Sequence, residues 1–332
     1  MQIEKNIIFY FDSGNKIGSG HYGRCLRLSE YLNKYKKNLN FFFVSKDQTF
    51  KKNLKDQKIN FIHLKKNIDI MKIIEKIKPQ YIIIDSYKMS YGLKNKLYKK
   101  FNNTIIIDDE IRNKQIGSIY INYNYEKLNF KEKKILKFDK IFIGHQYFFM
   151  NLKFINYKKK FQRLKNVLIY FGSTENVDLI SKVLKILKSK NFKKFKINIV
   201  IGKYDKFNYK KMFNNSNFSF YKNLNNENFL KLANSCQIAI GSGGVSCYER
   251  IFLRVVNLVI ITAKNQKFST NKLDKLKYIY KLGEKNHVKD YDLRNKLFMY
   301  LESNNKIKKI FNNINQIKLR NYIPKLINHL KL

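Results

Sequence analysis

The feature that most limits how this chain can fold is a repeated alternation of two kinds of apolar segment. Short runs rich in Ile, Phe, Val and Tyr are followed by longer segments whose apolar residues recur at helical spacing. The runs fall at Asn6–Phe11, Asn40–Val44, Asn60–His63, Tyr81–Asp85, Thr104–Asp108, Ser118–Asn122 and Lys140–Gly144. A second set falls at Val167–Phe171, Ile197–Ile201, Phe218–Tyr221, Gln237–Gly241 and Asn257–Ile261. A strand with one wet face would alternate with polar residues. Continuous apolar strands between helices specify parallel sheets covered on both faces. The Lys-rich stretch Asn156–Asn166 lacks this rhythm and reads as a linker near the middle of the 332 residues. Two doubly wound α/β domains are expected, over residues 1–155 and 165–290. Residues 291–332 read as a helical, Lys-rich extension that either packs across the domains or stands in solvent.

Glycine is scarce, with 13 in all, and it is concentrated. Gly14, Gly18, Gly20 and Gly23 fall within ten residues, Gly241, Gly243 and Gly244 within four, and Gly172 closes another strand. Each group sits in the turn from a strand into a helix. Glycine is used where the backbone takes unusual angles or a ligand approaches closely. In open α/β sheets ligands bind at the carboxyl ends of strands, and the N–H groups of the next helix attract phosphate. Tight turns without a ligand are the other reading. No GxxxxGK(S/T) loop occurs, which argues against an NTPase. Gly18-x-Gly20-x-x-Gly23 matches GxGxxG but lacks an acidic residue at the end of a second strand.

The first loop carries His21 to the start of a helix whose apolar positions include Cys25, Leu28 and Leu32. A helix N-terminus disfavours added positive charge. A neutral imidazole there can accept a proton, as a general base must. The position also suits a capping or packing histidine. Of the others, His63 ends a strand at a possible core position. His145 follows Gly144 at a place suited to line a cleft, and His287 and His329 lie in Lys-rich segments. No HxH or HExxH spacing occurs, so a built-in metal site is not expected. No cofactor is expected.

The formal charge of +44 raises the possibility of a nucleic-acid partner. The Lys residues are spread along the whole chain, and Arg, the better bidentate ligand, occupies only eight positions. The charge therefore reads as compositional bias, and no nucleic acid is expected. A positive field still attracts an anionic nucleotide. Cys25, Cys236 and Cys247 have no paired spacing and read as reduced thiols of a cytoplasmic protein. No apolar run approaches the ~20 residues that span a bilayer. Met1 to Asp12 reads as a first strand, not a signal peptide. A monomer is expected.

The loop Ile17-Gly18-Ser19-Gly20-His21-Tyr22-Gly23-Arg24 resembles the IGxGHxxR loop of the UDP-sugar hydrolases of pseudaminic acid biosynthesis and their spore-coat-polysaccharide relatives. Further segments agree in order. Asp85-Ser86-Tyr87 is similar to the family's strand-end D-x-Y, and Ile107-Asp108-Asp109-Glu110 to its IDDE segment. Phe171-Gly172-Ser173-Thr174-Glu175 is similar to FGG(S/T)D. The run from Gly241 to Arg250 is similar to GxGGxxxxER, and Asn265-Gln266 to the family's NQ. The likeness covers about residues 5–285.

The resemblance implies a glycosyltransferase-B-like fold, with two Rossmann-like domains facing a cleft. It implies cleavage of UDP from UDP-2,4-diacetamido-2,4,6-trideoxy-β-L-altropyranose without a metal. By the same resemblance, His21 assists water attack on the anomeric carbon, and Tyr87 and Asn265 line the reacting sugar. Glu249 holds the ribose hydroxyls, while Gly243, Gly244 and Ser246 face the diphosphate. Asp12, Gly18, Gly20, Arg24, Gly172, Ser173, Thr174 and Gln266 complete the implied substrate-binding set. The chain departs from the family at Tyr10, Ser86, Ser173, Glu175 and Tyr248, which bears on the identity of the sugar. A transferase using the same UDP site, with His21 activating an acceptor hydroxyl, is the alternative.

Overall fold

The computed structural model describes residues 4–14, 17–66, 69–111, 113–155, 160–161, 165–222, 224–316 and 322–330. The expected linker, 156–166, lies largely outside them, as do positions 15 and 16 of the first glycine loop. The chain forms two compact units. One comprises Met1–Leu152 and Leu319–Leu332, the other Lys153–Lys318.

The first unit is built on seven strands: β1 (Lys5–Phe11), β2 (Leu39–Ser45), β3 (Asn60–His63), β4 (Tyr81–Asp85), β5 (Thr104–Ile107), β6 (Gln115–Asn122) and β7 (Leu136–Ile143). Their order across the sheet is β3-β2-β1-β4-β5-β6-β7, and every pairing is parallel. The second unit has six: β8 (Asn166–Tyr170), β9 (Lys196–Ile201), β10 (Phe218–Lys222), β11 (Ile238–Gly241), β12 (Val256–Ile261) and β13 (Tyr280–Glu284). Their order is β10-β9-β8-β11-β12-β13, again all parallel. Counted within its own unit, each sheet contains the order 3-2-1-4-5-6 of doubly wound dinucleotide-type folds.

Helices on both faces explain why the central strands are apolar at nearly every position. Ile7 to Phe11 in β1 and Val167 to Ile169 in β8 are at most 1% exposed. The edges follow different rules. β13, with the sequence YKLGE, pairs only with β12 and carries Lys281 and Glu284, so its apolar signal is too weak to read in advance. At the opposite edge of the first sheet, β3 leaves His63 exposed, which corrects its reading as a core histidine.

The tail is not a solvated appendage. Helices Asp290–Glu302 and Asn304–Gln316 belong to the second unit and bury Leu293, Leu297, Ile307 and Phe311. Helix Ile323–Asn328 belongs to the first unit, where it buries Ile323, Leu326 and Ile327 and packs on the helix Gly20–Tyr35. All three cysteines are buried free thiols. Among the described residues no helix is long and apolar enough to cross a membrane.

Candidate active site

In a doubly wound sheet the chain leaves neighbouring central strands in opposite directions, which opens a crevice at their carboxyl ends. In the first unit this switch point lies between β1 and β4. The segments that follow these strands carry Asp12 to Arg24 and Ser86 to Tyr87. Gly14 and Gly18 have φ of 126° and 83°, values that L side chains resist. They close a tight turn that delivers Gly20 as the first residue of the helix Gly20–Tyr35. His21 therefore sits in the first turn, as expected, and Arg24 lies three residues on, on the same helical face.

These side chains meet Asp85 at the end of β4. His21 Nδ1 lies 2.5 Å from Asp85 Oδ1, and Arg24 clamps the carboxylate with Nε to Oδ2 and Nη2 to Oδ1, both at 2.7 Å. Nδ1 also lies 2.8 Å from Arg24 Nη2. One ring nitrogen cannot both donate to the carboxylate and accept from the guanidinium. The carboxylate is the stronger acceptor and also takes the Arg24 proton, so the tautomer we assign has Nδ1–H donating to Asp85. Nε2 is then the proton-accepting atom.

Arg24 Nη1 donates to Asp109 Oδ2 at 2.8 Å and to Tyr123 Oη at 3.1 Å. Its Nε and Nη2 are turned to Asp85, so the guanidinium, 2% exposed, is enclosed by two carboxylates and a phenol. Arg24 is the counter-ion of the buried Asp85 and Asp109 carboxylates. Burial alone raises the Asp85 pKa, but Arg24 and His21 outweigh it and hold this carboxyl below its usual value. Asp109 Oδ1 accepts the Tyr87 hydroxyl. Asp12 Oδ2 accepts the backbone N–H groups of Tyr87 and Lys88 at 2.8 and 3.2 Å, so Asp12 fastens the loop after β4.

Next to this network, burial and then the charge of Asp109 push the Asp108 carboxyl up to about 6. An unfolded Asp titrates near ~3.9. A raised folded value means the carboxyl favours folding most below pH ~4, and that contribution is lost as pH rises from about 4 to about 6. Asp108→Asn keeps an acceptor for the amides of Asp109 and Glu110. Relative to the wild type, it is expected to gain about 2–3 kcal/mol between pH 4 and pH 7.5. Urea denaturation at the two pH values measures the difference.

In the second unit the switch point lies between β8 and β11. Gly172, with φ of 96°, opens the loop after β8, and Asn176 ties Thr174 back by Nδ2 bonds of 3.3 Å to its carbonyl and hydroxyl oxygens. After β11, Gly243 and Gly244 lead into the helix Val245–Phe252, whose N-cap has no capping side chain. A Cβ at Gly243 would stand 2.0 Å from Thr270 Oγ1, so only glycine fits this approach. Gln266 Oε1 accepts from Gly243 N at 3.3 Å and from Thr262 N at 3.1 Å. Gln266 and Asn265 lie in the 3-10 turn Lys264–Gln266 after β12.

Arg250, fully buried, braces the loop from beneath. It donates Nε to Asn257 Oδ1 (2.5 Å), Nη1 to Ser246 Oγ (3.1 Å) and Nη2 to the Ser242 carbonyl (3.0 Å). Glu249 is 8% exposed, and its Oε1 accepts from Asn226 Nδ2 at 2.8 Å. Each unit thus carries its own share of the expected residues on segments that follow the carboxyl ends of its strands. The anchoring bonds of Arg250, Asn257, Asn226 and Asn176 escaped sequence reasoning, as did the pairing of Asp85 and Asp109 with His21, Arg24 and Tyr87.

No family model matches this chain. It is 29% identical over 280 residues to an uncharacterized protein of Methanocaldococcus jannaschii, covering 77% of this chain and 55% of that protein. It is 25% identical over 219 residues to the Helicobacter pylori pseudaminic acid cytidylyltransferase and UDP-2,4-diacetamido-2,4,6-trideoxy-β-L-altropyranose hydrolase, covering 64% of this chain and 40% of that protein. The chain spans about half the length of the curated relatives it matches. Among solved structures, Acinetobacter baumannii MurG matches with a TM-score of 0.67 at 12% identity, covering 98% of this chain and 99% of that one. The calicheamicin glycosyltransferase CalG4 matches at 0.66 and 9%, covering 98% and 97%. Arabidopsis thaliana UGT89C1 with UDP-L-rhamnose matches at 0.68 and 11%, covering 100% of both chains. Two parallel-sheet α/β units in this arrangement of strands constitute the glycosyltransferase-B fold.

Proposed function

We propose that this chain acts on a UDP-sugar and releases UDP by hydrolysis, with a 2,4-diacetamido-2,4,6-trideoxy-β-L-altropyranosyl group as the sugar. The observation that carries the reading is the His21–Asp85 pair, which leaves a proton-accepting Nε2 at the head of a glycine-rich loop. Support for the substrate comes from the Helicobacter pylori relative, whose name includes that hydrolase activity. In this reading Glu249 receives the ribose hydroxyls. The glycine loop and the first turn of Val245–Phe252 receive the diphosphate through backbone N–H groups.

Water attacks the anomeric carbon as the bond from that carbon to the UDP oxygen breaks. His21 Nε2 takes the water proton, and Asp85 stabilises the imidazolium that forms. Positioning one water and one base supplies several kcal/mol of the barrier reduction. A direct displacement inverts the anomeric centre.

The second reading is transfer to an acceptor hydroxyl in place of water. It is favoured by solved structures of this fold that are themselves named glycosyltransferases. Incubation with the UDP-sugar alone separates the two. Stoichiometric release of UDP without an acceptor is the expected result, with the inverted anomer seen first by NMR. Release that waits for an added acceptor establishes transfer.

A further inference from the structure

The second unit holds a cavity of about 130 Å³ at the amino-terminal ends of its strands. Lys194 and Phe195 line it just before β9, and Gln237 just before β11. The tail closes it with Leu301 and Glu302 from the helix Asp290–Glu302 and Ile307 from Asn304–Gln316. β11 is four residues long, so at ~3.3 Å per residue the glycine loop at its other end lies roughly 13 Å away. This cavity is therefore separate from the candidate active site.

Its polar groups are unusual. Gln237 is 2% exposed, and its backbone is fully used: N–H donates to the Asn166 carbonyl at 3.1 Å, and the carbonyl accepts from Val256 N at 3.0 Å. Its side-chain amide has no partner among the described residues, either at Nε2 or at Oε1. Glu302 Oε2 accepts from Lys194 Nζ, which neutralises the carboxylate, but buried Oε1 is likewise without a partner. Buried polar groups are ordinarily hydrogen-bonded, because leaving one unpaired is costly. Here two residues that line one cavity offer a donor and two acceptors between apolar walls.

We infer that this cavity is a second ligand site, taking a small planar ring that carries N–H and C=O groups side by side, the amide edge of a pyrimidine. Such an edge gives a proton to one acceptor and takes one from the Gln237 amide. A hydrocarbon leaves all three polar atoms unpaired, and a cation has nothing to accept the amide proton. The size agrees: ~150 Å³ accommodates a benzene-sized ring.

The probes are uracil and 1,3-dimethyluracil, which keeps the ring and both carbonyls but has no N–H. Each is titrated calorimetrically into the wild type, Gln237→Leu and Glu249→Ala. The wild type is expected to bind uracil about tenfold or more tighter than dimethyluracil. Gln237→Leu is expected to weaken uracil by about tenfold or more, and Glu249→Ala by less than about twofold. No uracil binding by the wild type, unchanged binding in Gln237→Leu, or loss in Glu249→Ala instead overturns the inference. Gln237→Leu deletes only groups without a protein partner, so it should fold, which circular dichroism checks. If it does not, a crystal structure of the wild type soaked in uracil decides: the ring against Gln237 sustains the site, and ordered water alone there overturns it. UDP titrated separately into the wild type tests the nucleotide reading, whose failure would leave this site standing.

Discussion

His21→Ala is expected to lower the rate of UDP release by about 10²- to 10⁴-fold, the range of a positioned general base. UDP affinity should stay within about twofold, because the proposed diphosphate and ribose contacts are backbone groups and Glu249. Asp85→Asn should reproduce much of the rate loss even though the imidazole is retained. A neutral amide neither holds the Nδ1–H tautomer as firmly nor stabilises the imidazolium. Steady-state turnover and calorimetric UDP binding together decide the point. If His21→Ala turns over at the wild-type rate, the base lies elsewhere and the proposed role of the first loop is lost.

The second large effect is on stability. Arg24→Leu is expected to cost about 3–5 kcal/mol near pH 7, a large share of the ~5–15 kcal/mol that holds a typical domain together. The change removes the counter-ion shared by Asp85 and Asp109, whose side chains are 1% and 11% exposed. The pH dependence carries a sign. In the wild type the Asp85 pKa is lowered, so its contribution is present above the unfolded value near ~3.9 and is lost as pH falls through the folded one. In Arg24→Leu only His21 is left to offset the burial of the Asp85 carboxylate, so the deficit should shrink as pH falls toward 4. Arg24→Lys should not restore stability, since one ammonium cannot reach both Asp85 oxygens, Asp109 and Tyr123 together. Urea denaturation of both variants at pH 7 and pH 4 measures these differences. A constant deficit across that range would show that lost packing, not lost charge, is responsible.

Much of the fold was legible in advance because a parallel strand buried on both faces must be apolar along its length. That demand marks β1, β4, β8 and β11 in any background composition. The same logic failed at the sheet edges, where β13 and His63 answer to solvent as much as to the core. The glycine clusters were legible too, since Gly18 and Gly172 take positive φ and Gly243 leaves no room for a Cβ. The tail illustrates the opposite case. Its apolar spacing announced helices, but nothing in residues 290–332 says that the last of them returns to pack on Gly20–Tyr35.

The sequence by itself determined which central segments become strands, where the chain must turn tightly, and that His21 lies in the first turn of a helix. These are local demands of backbone and burial, satisfied within a few residues. Only the tertiary structure decided that Asp85 meets His21 across 64 positions and that Asp109 holds Arg24 across 85. Such partnerships depend on which strands lie side by side, and strand order leaves no mark on either segment alone. The electrostatic character of the site follows from those partnerships, because a buried charge takes its meaning from the charge placed beside it.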